Sequence, residues 1–232
     1  MEWKTIYKVG AISSFLMAAF IPIQMAVFFI WPPPKTALDW FHLFQTNKLV
    51  GLLDMDLLLL VDQVLMIFIF LALYGALKKA SPSLMTIALA LGLVGTTTYF
   101  ASGSAFEMLS LSNMYAIATT EVQKTIALTG GELMLANWQG TTFDMAYIIQ
   151  GIAMLIVAIV MLQSKVFGRA TAYVAIVLGV LALVPPTLGT VGMICAIVSV
   201  LPLWIWSILI GRKFLKINKN NTILLNESDA AA

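Results

Sequence analysis

Chemistry-bearing side chains are scarce in this chain of 232 residues: one cysteine, one histidine, and only 10% Asp, Glu, Lys or Arg. A lone Cys195 excludes a disulfide framework and a thiolate metal cluster. A lone His42 excludes the clustered histidines of intramembrane metallohydrolases. No HExxH, GxSxG or P-loop pattern occurs, and neither Ser199 nor Cys195 has a neighbouring base, so nucleophilic catalysis has no foothold and no cofactor is expected. Long polar segments are missing as well, which leaves no room for a soluble catalytic domain.

Apolar sequence fills the space. With 61% hydrophobic residues the composition is that of a membrane protein rather than a soluble domain. Runs of about 20 apolar residues match a hydrocarbon core of about 30 Å. Six such runs are legible: Val9 to Trp31, Leu57 to Leu77, Leu84 to Ala105, Phe143 to Leu162, Ala170 to Val184 and Val191 to Ile210. The fifth is the shortest. The first is too long for a signal-peptide core, and Trp31-Pro32-Pro33-Pro34 offers no cleavage site. The expectation is an all-α bundle of six transmembrane helices over residues 1–216, short helices in the outer loops, and a polar, frayed tail over residues 217–232.

Basic residues favour the cytoplasmic side of short loops. Lys4, Lys8, Lys78, Lys79, Lys165, Arg169, Arg212, Lys213, Lys216 and Lys219 fall on one side of the six-span scheme, and only Lys35, Lys48 and Lys124 on the other. Both termini are therefore expected in the cytoplasm of a cell-membrane protein. The acids run the other way: Asp39, Asp54, Asp56, Glu107, Glu121 and Glu132 lie in outer loops. They read either as ordinary solvated loop residues or as a negative vestibule that concentrates cations.

Within the loops, Ser112 to Leu128 reads as a helix capped by Ser112 and stopped by Gly130-Gly131. A second helix starts near Glu132 and runs towards the fourth span. The third span is rich in small residues (Ala88, Gly92, Gly95, Ser102, Gly103), which predicts a central position with several partners. Trp204 and Trp206 read as membrane-interface anchors.

Asp62 carries the functional signal, because a carboxylate five residues inside a spanning run is costly and commonly faces a partner or a wet cavity. Helical spacing gives it companions. Asp54, Leu58 and Asp62 form one stripe, Tyr99, Gly103 and Glu107 another, and Asp144, Tyr147 and Gly151 a third with Gln150 beside it. At about 1.5 Å per residue, Asp62, Gln24 and Tyr99 lie roughly 8 to 12 Å below the outer boundary. The inner half of the bundle has almost no polar residues, which argues against a continuous polar channel. His42 with Asp54 and Asp56 makes a metal set by residue type alone, and a lone interfacial histidine reads more often as a surface residue.

The run Ala18-Ala19-Phe20-Ile21-Pro22-Ile23-Gln24, the Leu57 to Leu77 span with its acid, the Asp144 to Gly151 stretch and the closing Trp204 to Arg212 segment resemble a prokaryotic family of polytopic membrane proteins classed as a domain of unknown function. The resemblance implies a fold and no established activity.

Three readings follow. The leading one is an outward-facing pocket that binds a small molecule, lipid or cation, lined by Asp62, Asp144, Tyr99, Tyr147, Gln24, Gln150 and Glu107, in a transporter or sensor component. The second is a non-catalytic scaffold subunit that docks a membrane partner or a second copy through small-residue ridges. The third is an enzyme acting on lipid head groups with a carboxylate pair as acid and base. Membrane lipids are expected neighbours in all three, and nucleic acid in none. A buried carboxylate that serves only as an interhelical hydrogen-bonding strut competes with the first reading.

Overall fold

The structure, a computed structural model, describes residues 3–230, with side chains described through Lys219. All regular elements among the described residues are helical. In chain order they are α1 (Trp3–Ile30), α2 (Ala37–Thr46), α3 (Lys48–Leu52), a π-helical segment (Leu53–Leu57), α4 (Leu58–Leu77), α5 (Pro82–Ser102), α6 (Ala105–Ile117), α7 (Glu121–Trp138), α8 (Thr141–Gln163), α9 (Arg169–Ala182) and α10 (Gly189–Ala230).

Local chemistry sets these limits. Pro32-Pro33-Pro34 forbids continuation of α1, whereas Pro22 is accommodated inside it. Pro82 opens α5, where its missing N–H would have had no helical acceptor. Thr120 and Gln123 form a capping box that starts α7. Lys48–Leu77, Pro82–Ile117 and Glu121–Gln163 are near-continuous helical rods that begin or end in short loop helices.

Five helices are long and apolar enough to cross a membrane: Trp3–Ile30, Lys48–Leu77, Pro82–Ile117, Glu121–Gln163 and Gly189–Lys219. Only 17% of the most apolar window of the last is buried, and Val191, Ile194, Ile197, Val198 and Leu201 all point outward. An apolar surface of that extent belongs in lipid. The chain is a multi-pass membrane protein by helix composition and by this inside-out apolar surface. The fifth expected span is the short one: α9 has 14 residues, about 21 Å of helix against a core of about 30 Å.

The long helices close into a ring. α1 packs on α4, α4 on α5, α5 on α8, α8 on α9, α9 on α10, and α10 returns to α1. A lesser contact between α4 and α8 crosses the ring. The expectation of a central third span does not hold, since α5 takes an ordinary ring position between α4 and α8. Its small residues serve one close contact rather than many: a Cβ on Gly95 would lie 3.2 Å from the Gln150 backbone nitrogen and 3.3 Å from the Ala146 carbonyl oxygen. α8 and α9 meet as closely, with Gly151 against the Gly179 carbonyl.

A second layer of α2, α3, α6 and α7 lies at the end where α1 finishes and α4 begins. Trp40, Phe41, Phe44, Met55 and Met108 form its core. The helix expected over Ser112 to Leu128 is broken at its middle, because the chain turns at Ala118 and the capping box restarts it. Ser112 is no cap. It is buried inside α6, donates to the Phe41 carbonyl oxygen at 3.0 Å and accepts from Gln45 at 2.9 Å. Gly130-Gly131 is no stop, because α7 runs through it to Trp138; the pair marks close approach instead, with Leu111 on Gly130 and the Phe41 ring on Gly131. At the other end of the bundle Phe70, Leu73, Met161, Trp206 and Phe214 are fully or almost fully buried. Trp206 is thus core rather than an interface anchor, while Trp204 ties α10 to α1 by donating to the Ala18 carbonyl at 2.8 Å. Backbone helix continues from Ile217 to Ala230, where a frayed tail was expected.

The Gly151–Gly179 seam is testable. A Cβ on Gly151 would sit 3.0 Å from the Gly179 oxygen and 3.1 Å from the Ala182 Cβ. Gly151→Leu is expected to cost about 1–3 kcal/mol by overpacking, read as a lower Tm in detergent. Gly168→Ala, where an added Cβ meets nothing within 4 Å and only the N-cap of α9 changes, should lower Tm less; equal losses in both variants would refute the seam.

Candidate functional site

Inside the ring, in the half next to the second layer, lies a cavity of about 190 Å³ to which all six ring helices contribute. Its polar wall consists of Asp62 and Gln63 from α4, Tyr99 from α5, and Tyr147 and Gln150 from α8, with Ser199 of α10 opposite in the chain order. The rest is apolar, led by Met17 of α1, Met66, Met154, Leu178 and Leu203. Ser199 is engaged within its own helix, donating to the Ala196 carbonyl at 2.6 Å, which fits a wall residue better than a nucleophile.

Asp62 is held by α1. Gln24, buried near the C-terminal end of that helix, donates through Nε2 to Asp62 Oδ2 at 2.7 Å and lies 3.0 Å from the Leu58 carbonyl oxygen. The other carboxylate oxygen, Oδ1, is buried and has no hydrogen-bond partner. One turn of wall further, Gln150 donates to Gln63 at 2.8 Å, linking α8 to α4 across the ring. Tyr99, Phe143 and Tyr147 form an aromatic row, with ring centroids 5.7 Å and then 5.0 Å apart.

Five of the seven expected ligand residues are therefore gathered at one place: Asp62, Tyr99, Tyr147 and Gln150 on the wall, and Gln24 directly behind Asp62. Two are not. Asp144 accepts a short hydrogen bond from Thr187 in the α9–α10 connection and is absent from the cavity wall. Its place in the first turn of α8 puts it beside that returning loop, which helical periodicity could not reveal. Glu107 is exposed on α6 and borders a separate depression with Asp56 and Gly103. The wall carries a single carboxylate among the described residues, so the acid–base pair of a head-group enzyme is not assembled there.

Gln63 was missed by the sequence reading. The signal was present, since it is the second polar residue in an apolar run and adjoins Asp62.

His42 is exposed on α2, whereas Asp54 and Asp56 are 2% and 5% exposed, so the metal set expected from residue type does not converge. No group of three or more His, Cys, Asp or Glu residues suited to a metal occurs among the described residues. Burial removes Asp54 from any negative vestibule, whereas Asp56 still borders the depression it shares with Glu107. Asp56 also has a structural task. Its Oδ2 accepts the backbone N–H groups of Ser104 and Ala105, both at 2.6 Å, and its Oδ1 accepts the Trp138 indole N–H at 2.8 Å. It thus caps α6 from a distant part of the chain and fastens the end of α7. Asp54 is buried with both oxygens unpartnered.

Scans against family models, curated proteins and solved structures find no match to this chain. The family resemblance rests on the sequence motifs alone.

Two substitutions test these roles. Asp56→Ala strands three donors and is expected to cost about 3–5 kcal/mol, as removal of one partner of a buried charged network does. Asp56→Asn, which keeps one good acceptor, should lose less; equal Tm shifts would count against the trans-cap. For the strut between α1 and α4, Gln24→Leu and Asp62→Leu are each expected to destabilise by about 1–3 kcal/mol, while the double variant recovers part of the loss. Strict additivity in that cycle would mean the Gln24–Asp62 bond carries no coupling.

Proposed function

We propose that the protein spans the cell membrane six times, with both termini in the cytoplasm, and binds a small molecule in a pocket reached from the outer side. The single observation behind this reading is the cavity to which all six ring helices contribute and whose one carboxylate, Asp62, keeps an unpartnered buried oxygen. Asp54 also has unpartnered buried oxygens but lines no cavity, so the reading rests on the coincidence of the unpartnered oxygen with the cavity at Asp62.

Orientation follows from charge. The lysines and arginines at Lys78, Lys79, Lys165 and Arg169 lie at the bundle end remote from α2, α3, α6 and α7, which favours that end for the cytoplasm. α9 completes the sixth crossing with help from Phe167 below it and Leu183 and Val184 above. The cavity then lies in the outer leaflet. Below it, Ile69, Phe70, Leu73 and Met161 supply a dry plug, so the pocket is one-sided. A sensor or a transporter held in one state accounts for such a site, and a permanently open channel does not.

Accessibility labelling in a Cys195→Ser background tests the proposal. Ser199→Cys on the cavity wall is expected to react with a small membrane-impermeant thiol reagent in intact cells, and Ser81→Cys, in the α4–α5 turn, only after permeabilisation. Labelling of Ser199→Cys that also needs permeabilisation would contradict an outward-facing pocket.

A further inference from the structure

The cavity wall has an unbalanced chemistry that points to one class of occupant. We propose that it binds a small lipophilic ammonium ion, with Asp62 as counter-charge and the methionine- and leucine-lined wall around its apolar body. This rests on the pocket reading above and narrows its ligand.

The first argument is charge. Asp62 Oδ2 is taken by Gln24, while Oδ1 is buried without a partner. The wall holds no lysine, arginine or histidine, and the salt bridge found among the described residues, Lys124–Glu121, lies far off on exposed α7. A carboxylate removed from water calls for an opposite charge as well as a donor. Water can donate to Oδ1 but leaves the charge uncompensated. Protonation would abolish the charge and let a wall hydroxyl or amide oxygen accept the new O–H, which is the neutral-pocket outcome that the alcohol probe detects. An ammonium N–H supplies the donor and the charge together.

The second argument is the remaining surface. Tyr99 and Tyr147 bring aromatic rings to the same wall as the carboxylate, a combination suited to organic cations. Beyond them Met17, Met66, Met154, Leu178 and Leu203 offer only apolar contact, and methionine adapts to varied shapes. A bare divalent ion fits badly, because calcium takes roughly 6–8 oxygens and magnesium an octahedral set, and no metal-holding group occurs among the described residues. An anion or a zwitterion would require a basic wall residue. The volume also selects: an apolar cavity of about 150 Å³ accepts benzene, so about 190 Å³ suits one ring or a short branched chain carrying the ammonium group.

Calorimetry on the purified full chain in nanodiscs tests this with phenethylammonium, its neutral isostere 2-phenylethanol and the anion phenylacetate, backed by benzyl-, cyclohexyl- and butylammonium. A charge-assisted hydrogen bond predicts that the ammonium binds about 10- to 100-fold more tightly than the alcohol, with phenylacetate weakest. Asp62→Asn should erase the difference between ammonium and alcohol. Should that variant fail to fold, the comparison within the wild-type protein still decides. Equal affinity for ammonium and alcohol would overturn the ammonium proposal and leave a pocket for neutral molecules. Failure of every ammonium to bind, with Ser199→Cys still labelled from outside, would overturn the ligand class alone. Failure of both would remove the pocket reading too.

Discussion

A ring of six helices has a middle. Helices packed at about 8–10 Å between axes and arranged as a hexagon leave a central space about as wide as another helix. Everything distinctive here follows from how that space is filled. The closure of α10 onto α1 makes the ring, and the α4–α8 contact flattens it without eliminating the centre. At one end the centre is packed by large apolar side chains, Phe70, Met161, Phe214 and Trp206 among them. At the other, Gly151 and Ala182 meet each other at the α8–α9 seam, and α10 presents the small Ala196 and Ser199 to the centre. The cavity is thus a consequence of residue size along six helices, placed at one level by the same chain that places Asp62 there.

The second layer depends on a different device. α6 and α7 project from the ends of α5 and α8, share an apolar core with α2, and have to be fastened at the bundle. Asp56 fastens them by accepting two N–H groups at the start of α6 and the indole of Trp138 at the end of α7. Its aim is set by the π-helical segment Leu53–Leu57, in which Leu58 N–H bonds the Leu53 carbonyl. One extra residue in a turn re-phases what precedes it by about 100° relative to an unbroken α-helix. The segment therefore turns Asp56 towards the second layer while Asp62 keeps facing the ring interior. Two acids six residues apart in one rod do unrelated work.

Sequence reading reached part of this. Helical periodicity and depth were enough to assemble Asp62, Gln24, Tyr99, Tyr147 and Gln150, because each sits within a regular helix whose faces can be computed. It misplaced Asp144, whose partner Thr187 comes from an irregular connection, and Glu107, whose helix is redirected by the break at Gly103 and Ser104. Gly130-Gly131 was read as a stop, yet glycine also marks close approach, and only the position of Phe41 and Leu111 decides between the two. Ring order was likewise out of reach, since small residues on α5 announce a close contact without saying with which helix.

The same logic bears on whether Asp62 is strut or site, which are compatible roles for one carboxylate. Gln24 holds a single oxygen and in doing so fixes the rotamer of the side chain. A carboxylate free to rotate could turn both oxygens towards the helix backbone or neighbouring amides and quench itself. Held at Oδ2, it leaves Oδ1 buried and unpartnered in the low-dielectric interior, where an ion pair gains most and reorganises least. The strut is thus what preorganises the charge. Stability is spent on a bond between α1 and α4 whose geometry has its clearest use when something cationic enters the ring.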